Sequence, residues 1–104
     1  MRATILWTQR ARRDLLEIGD FIARDKPDAA ATWVHRMIDA VERTALFPTS
    51  GRVVPEADRD DIREVFLDNY RLVYLVGGNR MVVLTVFEGH RLLTSADLNA
   101  ETLP

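Results

Sequence analysis

The feature that most constrains this chain is a change in the spacing of its apolar residues. Between residues 9 and 46 they recur every three or four positions, and between 62 and 88 they crowd into short runs rich in Val, Leu, Tyr and Phe. The first spacing belongs to amphipathic helices and the second to strands. Ala11, Leu15, Ile18 and Ile22 make one helical stripe, flanked by Phe21 and preceded by Thr8, a good N-cap. Ala30, Val34, Met37, Val41 and Ala45 make a second, widened by Trp33, Ile38 and Leu46. The first helix should stop near Asp25-Lys26-Pro27, because a residue before proline disfavours helix, and Pro27 suits the first position of the next helix, with Asp28 in its first turn. Helices joined by so few residues lie antiparallel, as a hairpin, and Pro48 ends the second one.

Residues 2–7, with Ile5 and Trp7, are expected to form a short first strand. Ile62–Leu67, Tyr70–Val76 and Met81–Glu88 should form an antiparallel meander turning at Asp68-Asn69 and at Gly77-Gly78-Asn79-Arg80. Residues 48–61 hold two prolines, a glycine and four acidic side chains, so no regular element is expected there. The fold class is α+β, in the order β-α-α-β-β-β, with an N-terminal helical hairpin packed on one face of a small, mostly antiparallel sheet. Residues 1–104 are expected to be one domain. A short helix or a loose tail is expected after Thr94.

The turns imply a register in which Phe66 faces Arg71 and Arg71 faces Val86. One sheet face then carries Ile62, Glu64, Phe66, Arg71, Val73, Leu75, Val82, Leu84, Val86 and Glu88, and the other carries Tyr70, Leu72, Tyr74, Met81, Val83 and Phe87. Both are largely apolar, and one helical hairpin covers only one of them. An uncovered apolar face marks a protein partner.

Composition excludes several chemistries. There is no cysteine, hence no disulfide, thiol catalysis or cysteine-based zinc site. The two histidines, His35 and His90, lack metal-ligand spacing, so neither metal nor cofactor is expected. Gly77-Gly78 lies between strands and is a turn, not a phosphate loop. No apolar run approaches the ~20 residues of a membrane span, and the start is too short for a secretory signal, so a cytoplasmic protein with no membrane partner is expected. With 14 basic and 16 acidic residues the net charge is −2, without the basic excess of a phosphate-gripping domain, and direct DNA binding is not expected. The Arg10–Arg13 cluster is expected to be a solvated helix face rather than a nucleic-acid patch. Arg71, in a central strand, is either a site arginine for phosphate or a partner's carboxylate, or one half of an internal salt bridge to Glu64 or Glu88. Arg91 and His90, where the last strand ends, are the other candidates for a cationic or proton-carrying site.

Several segments, in order, resemble the RelE/ParE family of toxins from type II toxin–antitoxin systems. They are Trp7–Ile18, the stretch 47–56 (Phe-Pro-Thr-Ser-Gly-Arg-Val-Val-Pro-Glu), Ile62–Phe66 followed by Tyr70-Arg71-Leu72-Val73-Tyr74, and Val86–Arg91. The resemblance implies a toxin held inactive by a cognate antitoxin whose flexible segment wraps it. RelE-like members cut messenger RNA on the ribosome, with Arg71 and Arg91 matching two of their arginines and His90, or His35, as proton carrier. Their basic hairpin positions fall at Ile62 and Glu64, and their C-terminal acid–base group falls near Asp97, so that set is incomplete. The loop Gly51-Arg52-x-Val54-Pro55-Glu56 resembles the ParE branch, which is thought to inhibit DNA gyrase without being an enzyme. The expectation is therefore a ParE-like toxin that binds gyrase and is neutralised by its antitoxin. The alternatives are a RelE-like ribosome-dependent endoribonuclease and a non-toxic member that only binds its partner. The antitoxin surface is expected at Phe66, Arg71, Val73, Leu75, Leu84 and Val86.

Overall fold

In the computed structural model, which describes residues 2–89 and 93–98, the chain runs β1 (Thr4–Trp7), α1 (Gln9–Ala23), α2 (Pro27–Leu46), β2 (Arg52–Val53), β3 (Ile62–Leu67), β4 (Tyr70–Gly77) and β5 (Arg80–Glu88). Short 3-10 turns occupy Pro48–Ser50 and Ser95–Leu98. The five strands form one sheet in the order β1-β5-β4-β3-β2. β1 runs parallel to β5 and every other pair is antiparallel.

The helices begin and end where their sequence signals lie. Thr8 caps α1, its hydroxyl accepting from the Ala11 N–H at 3.0 Å, and Pro27 opens α2 with Asp28 in the first turn. The hairpin packs tightly where α1 carries Gly19, since a Cβ there would lie 3.3 Å from a Val34 methyl. Ala11 and Leu15 of α1, with Trp33, Met37, Val41 and Ala45 of α2, bury the main core against Leu72, Tyr74, Met81 and Val83. The helices thus cover the Tyr70/Leu72/Tyr74 face of the sheet.

The hairpin β3–β4 turns at Asp68-Asn69, with Asp68 at φ 54°, and pairs Phe66 with Arg71 as the two-residue turn requires. The next hairpin departs from the expected register. Val73 pairs with Thr85 but Tyr74 pairs with Val83, so Leu84 is an extra residue in β5. Beyond this bulge the side chains change face. Arg71 stands opposite Phe87, not Val86, and Val86 packs in the helix-side core. Phe87 moves under Arg71, and Glu88 pairs with Tyr70. The bulge is held by α1, which takes over as the neighbour of β5 where β1 ends. The Thr8 hydroxyl donates to the Leu84 carbonyl at 3.1 Å, and the Asp14 carboxylate accepts from the Val86 N–H at 3.1 Å and the Thr85 hydroxyl at 2.6 Å. Backbone groups released from the ladder therefore still find partners.

The segment 48–61 also differs from the structureless loop expected from its composition. Arg52 and Val53 pair with Glu64 and Arg63 and add a fifth strand. Tyr74 makes this possible by reaching out of the core. Its hydroxyl donates to the Pro48 carbonyl at 2.6 Å and accepts from the Gly51 N–H at 3.2 Å. A side chain at position 51 would collide with that hydroxyl, because a Cβ would lie 2.3 Å from it.

The second sheet face is not left bare. Val54 and Ala57 from the loop, with Leu93 and Leu98 from the C-terminal segment, pack over Ile62, Val73, Val82, Leu84 and Phe87. The chain supplies a cover that periodicity alone did not reveal.

Because Thr8 both caps α1 and satisfies the bulge, Thr8→Val should cost about 2 kcal/mol, combining a lost cap with an orphaned buried carbonyl. Chemical denaturation would register this as a lower midpoint with an unchanged slope; an unaltered midpoint would refute the double role.

Candidate functional site

On the second face, four charged side chains of alternating sign converge. Arg52 on β2 stands opposite Glu64 on β3, and Arg71 on β4 lies diagonally beyond Glu64, which shares its face of the sheet. The Glu64 carboxylate is fully buried and accepts from Arg52 Nε at 2.7 Å and from Arg71 Nε. Arg71 turns its two terminal nitrogens to Glu56, at 2.7 and 2.8 Å, in a bidentate pair. Its guanidinium also lies 5.5 Å from the centre of the Phe87 ring, while that of Arg52 lies 5.8 Å from Phe66. Arg71 is only 5% exposed.

The electrostatics follow from this geometry. The hydrogen bonds from Arg71 hold the Glu56 carboxyl well down, from 4.5 to about 2. The same Glu56 bonds, with Glu64, raise the Arg71 guanidinium above its ordinary value. Two cations and two anions sum to zero, and every guanidinium nitrogen of Arg71 meets a carboxylate. Glu56 also accepts from the Leu93 N–H at 3.3 Å. One carboxylate thus ties the loop, the central strand and the C-terminal segment together.

Of the two partners the sequence offered for Arg71, Glu64 is present, and the bulge carries Glu88 to the other face. Glu56 was missed, although it closes the Gly51–Glu56 motif, because nothing local links positions 15 residues apart. Of the other residues singled out, Phe66 shares the Arg71 face and is 53% exposed, Leu75 is half-buried, and Val73 and Leu84 lie buried beneath the chain's own cover. Val86 lies beneath the helices. Ile62 is buried in the second-face core. His35 is exposed on α2, across the sheet from Arg71. His90 and Arg91 lie outside the described residues. Asp97 is buried, pairs with Arg10, and reaches back across its own turn to accept from the Thr94 N–H at 2.8 Å. Among the described residues no cluster of metal-ligating side chains occurs, and no helix is long and apolar enough to cross a membrane.

Comparison with known proteins identifies the family and the fold. The model of the family described as ParE toxin of type II toxin-antitoxin system, parDE, matches residues 5–93. A protein of Sinorhizobium fredii (strain NBRC 101917 / NGR234), described as "Putative toxin Y4kP", is 39% identical over 92 residues, covering 86% of this chain and 92% of the relative. Among solved structures, the chromosomal ParDE system from P. aeruginosa shares the fold with a TM-score of 0.71 at 20% identity, over 84% of this chain and 96% of that one. The RelBE2 toxin–antitoxin complex of Mycobacterium tuberculosis superposes less closely, with a TM-score of 0.53 at 22% identity, over 85% and 99% of the two chains.

Removing Arg71 strands a buried carboxylate, so Arg71→Ala should destabilise the fold by about 3 kcal/mol or more. Glu56 has a folded pKa depressed below its unfolded value. Its contribution, about 1 kcal/mol once solvent screening of this exposed carboxylate is allowed for, is fully present above pH 4.5 and is lost as pH falls from 4.5 towards 2. Glu56→Gln should flatten stability over that window in acid denaturation curves. An unchanged slope there would mean the pair contributes nothing.

Proposed function

The chain belongs to the ParE toxin family of type II toxin–antitoxin systems, and from that premise we propose that it arrests growth by binding DNA gyrase and that a cognate antitoxin neutralises it. The observation that carries this reading is the commitment of Arg71. Cleavage of RNA by attack of the 2′-hydroxyl needs cations free to meet the scissile phosphate and a positioned acid and base. Here the guanidinium that the family resemblance offers for that task is buried and bound to Glu56 and Glu64. The two neighbouring positions where a nuclease of this family carries basic groups are an apolar Ile62 and the anionic Glu64 itself. Asp97 is held by Arg10 and by its own turn. An incoming phosphate would meet the carboxylates of Glu56, Glu64 and Asp97, and no charge at Ile62.

A small toxin that works by binding needs a rigid scaffold with surfaces for two macromolecules, its target and its antitoxin. The sheet, the helical hairpin and the ion network supply such a scaffold. Action on gyrase places the protein in the cytoplasm. The antitoxin surface on this reading includes the exposed part of the second face, around Phe66 and Leu75, with Arg71, Val73 and Leu84 beneath it.

Expression of the chain alone should stop growth, and co-expression of the neighbouring antitoxin gene should restore it. The purified chain should inhibit supercoiling by gyrase in proportion to its concentration. Gyrase untouched at large molar excess, with cleaved messengers in primer extension, would replace the reading by the ribosomal nuclease. No growth arrest at all would leave a family member that only binds its partner.

A further inference from the structure

On the opposite face, the bulge in β5 leaves a groove between α1 and the end of the β4–β5 hairpin, with a volume of about 290 Å³. Its floor is apolar, made by Ile18, Tyr70 and Val86, and Phe21 stands over it with 63% of its surface exposed. A phenylalanine this exposed beside a concave apolar floor is uncommon without a partner, because each such ring leaves a large apolar area in water. The rim is acidic. Asp14, Glu17 and Glu88 line it, and no cation among the described residues does. Asp14 is already engaged by Thr85, Val86 and, at 3.7 Å, Arg10. Glu17 and Glu88 are exposed and form no ion pair among the described residues. Glu88 stands close enough to Tyr70 that, after burial, its charge is what pushes that phenol up.

We infer that this groove docks a segment of a protein partner carrying one bulky apolar side chain flanked by Lys or Arg. The apolar residue fills the floor against Ile18 and Val86 and covers Phe21, and its cationic neighbours meet Glu17 and Glu88. A volume at the small end of ligand sites suits a single anchoring side chain rather than a whole small molecule. The exposed carboxylates of Glu17 and Glu88, without an ion pair among the described residues, favour a cationic segment and repel an acidic one, which supplies specificity and faster association. A second copy of this chain fits less well, since it carries a net charge of −2. The identity of the partner as the cognate antitoxin rests on the functional reading above; the chemistry of the groove does not.

Two probes separate these points. In the first, the isotopically labelled chain is titrated with a synthetic peptide holding Leu between arginines, and with the same peptide carrying glutamates. The basic peptide should shift the amides of Ile18, Phe21, Tyr70 and Glu88, and its binding should weaken roughly tenfold from about 50 to about 500 mM salt. Phe21→Ala, and separately Glu17→Lys with Glu88→Lys, should each weaken it at least about tenfold without altering thermal unfolding, since these side chains are exposed. Shifts that are absent, lie elsewhere, or are the same for the acidic peptide would overturn the groove. In the second, the same variants meet the protein encoded beside the toxin. Weakened binding supports the antitoxin as occupant, and unaltered binding overturns it. Failure of the wild-type chain to bind that protein would sink the functional reading, leaving the peptide titration to decide the groove. Self-association abolished by Phe21→Ala would make a second copy the occupant and overturn the partner proposed.

Discussion

Most of the second sheet face depends on one bidentate ion pair, Glu56 with Arg71. The sheet has two apolar faces and only one helical hairpin, so half of its apolar surface needs another cover. The chain provides one from the loop after Pro48 and from residues 93–98, neither of which has enough apolar content to hold itself down. Val54, Ala57, Leu93 and Leu98 lie over Val73, Val82 and Leu84 because Glu56 fixes the loop to the central strand and takes the Leu93 amide as well. Glu64 takes the remaining nitrogen of Arg71 and is itself balanced by Arg52, which anchors the short strand β2. A buried ion pair is often no more stabilising than apolar residues of the same size. Its value here is in specifying one position for a loop that its composition would leave undetermined.

A second constraint, the bulge at Leu84, decides what each end of the sheet presents. Without it Val86 and Glu88 would share the face of Arg71, and Glu88 would compete with Glu56 for the guanidinium. With it, Phe87 slides under Arg71 and Glu88 reaches the helix side, beside Tyr70 and Phe21. One extra residue thus gives one face a neutral, closed network and the other an acidic groove. The helix that would otherwise only cover the core also stabilises the bulge through Thr8 and Asp14.

Much of this was legible in the sequence and some of it could not have been. The helices were readable because their apolar residues repeat at helical spacing and their ends carry Thr8, Pro27 and Pro48. The β3–β4 register was readable because a two-residue turn at Asp68-Asn69 admits one pairing. The bulge was not, because Leu84 is apolar like its neighbours and no glycine or proline marks it. Strand β2 was hidden in a stretch whose Pro and Gly argue against strands, and it forms only because Tyr74 and Glu64 meet it from afar. Glu56 looked like one acid among four in a loop. That it should find Arg71 depends on how the loop folds back, which no local pattern encodes. The family resemblance did single out the Gly51–Glu56 motif, and in the structure the two ends of that motif are the contacts to Tyr74 and to Arg71.

On the function proposed, Arg71 holds the scaffold together and performs no chemistry. This central claim is tested most directly by neutralising the whole network at once, with Arg71→Met, Glu56→Gln and Glu64→Gln in one chain, so that no buried charge is left unpaired. Cooperative thermal unfolding confirms that the variant is folded, and its effect on growth is then compared with that of the parent. The account predicts a folded protein that still arrests growth and is still neutralised by its antitoxin. A folded variant that no longer arrests growth, while retaining its antitoxin, would contradict it and return Arg71 to the reacting groups of an enzyme.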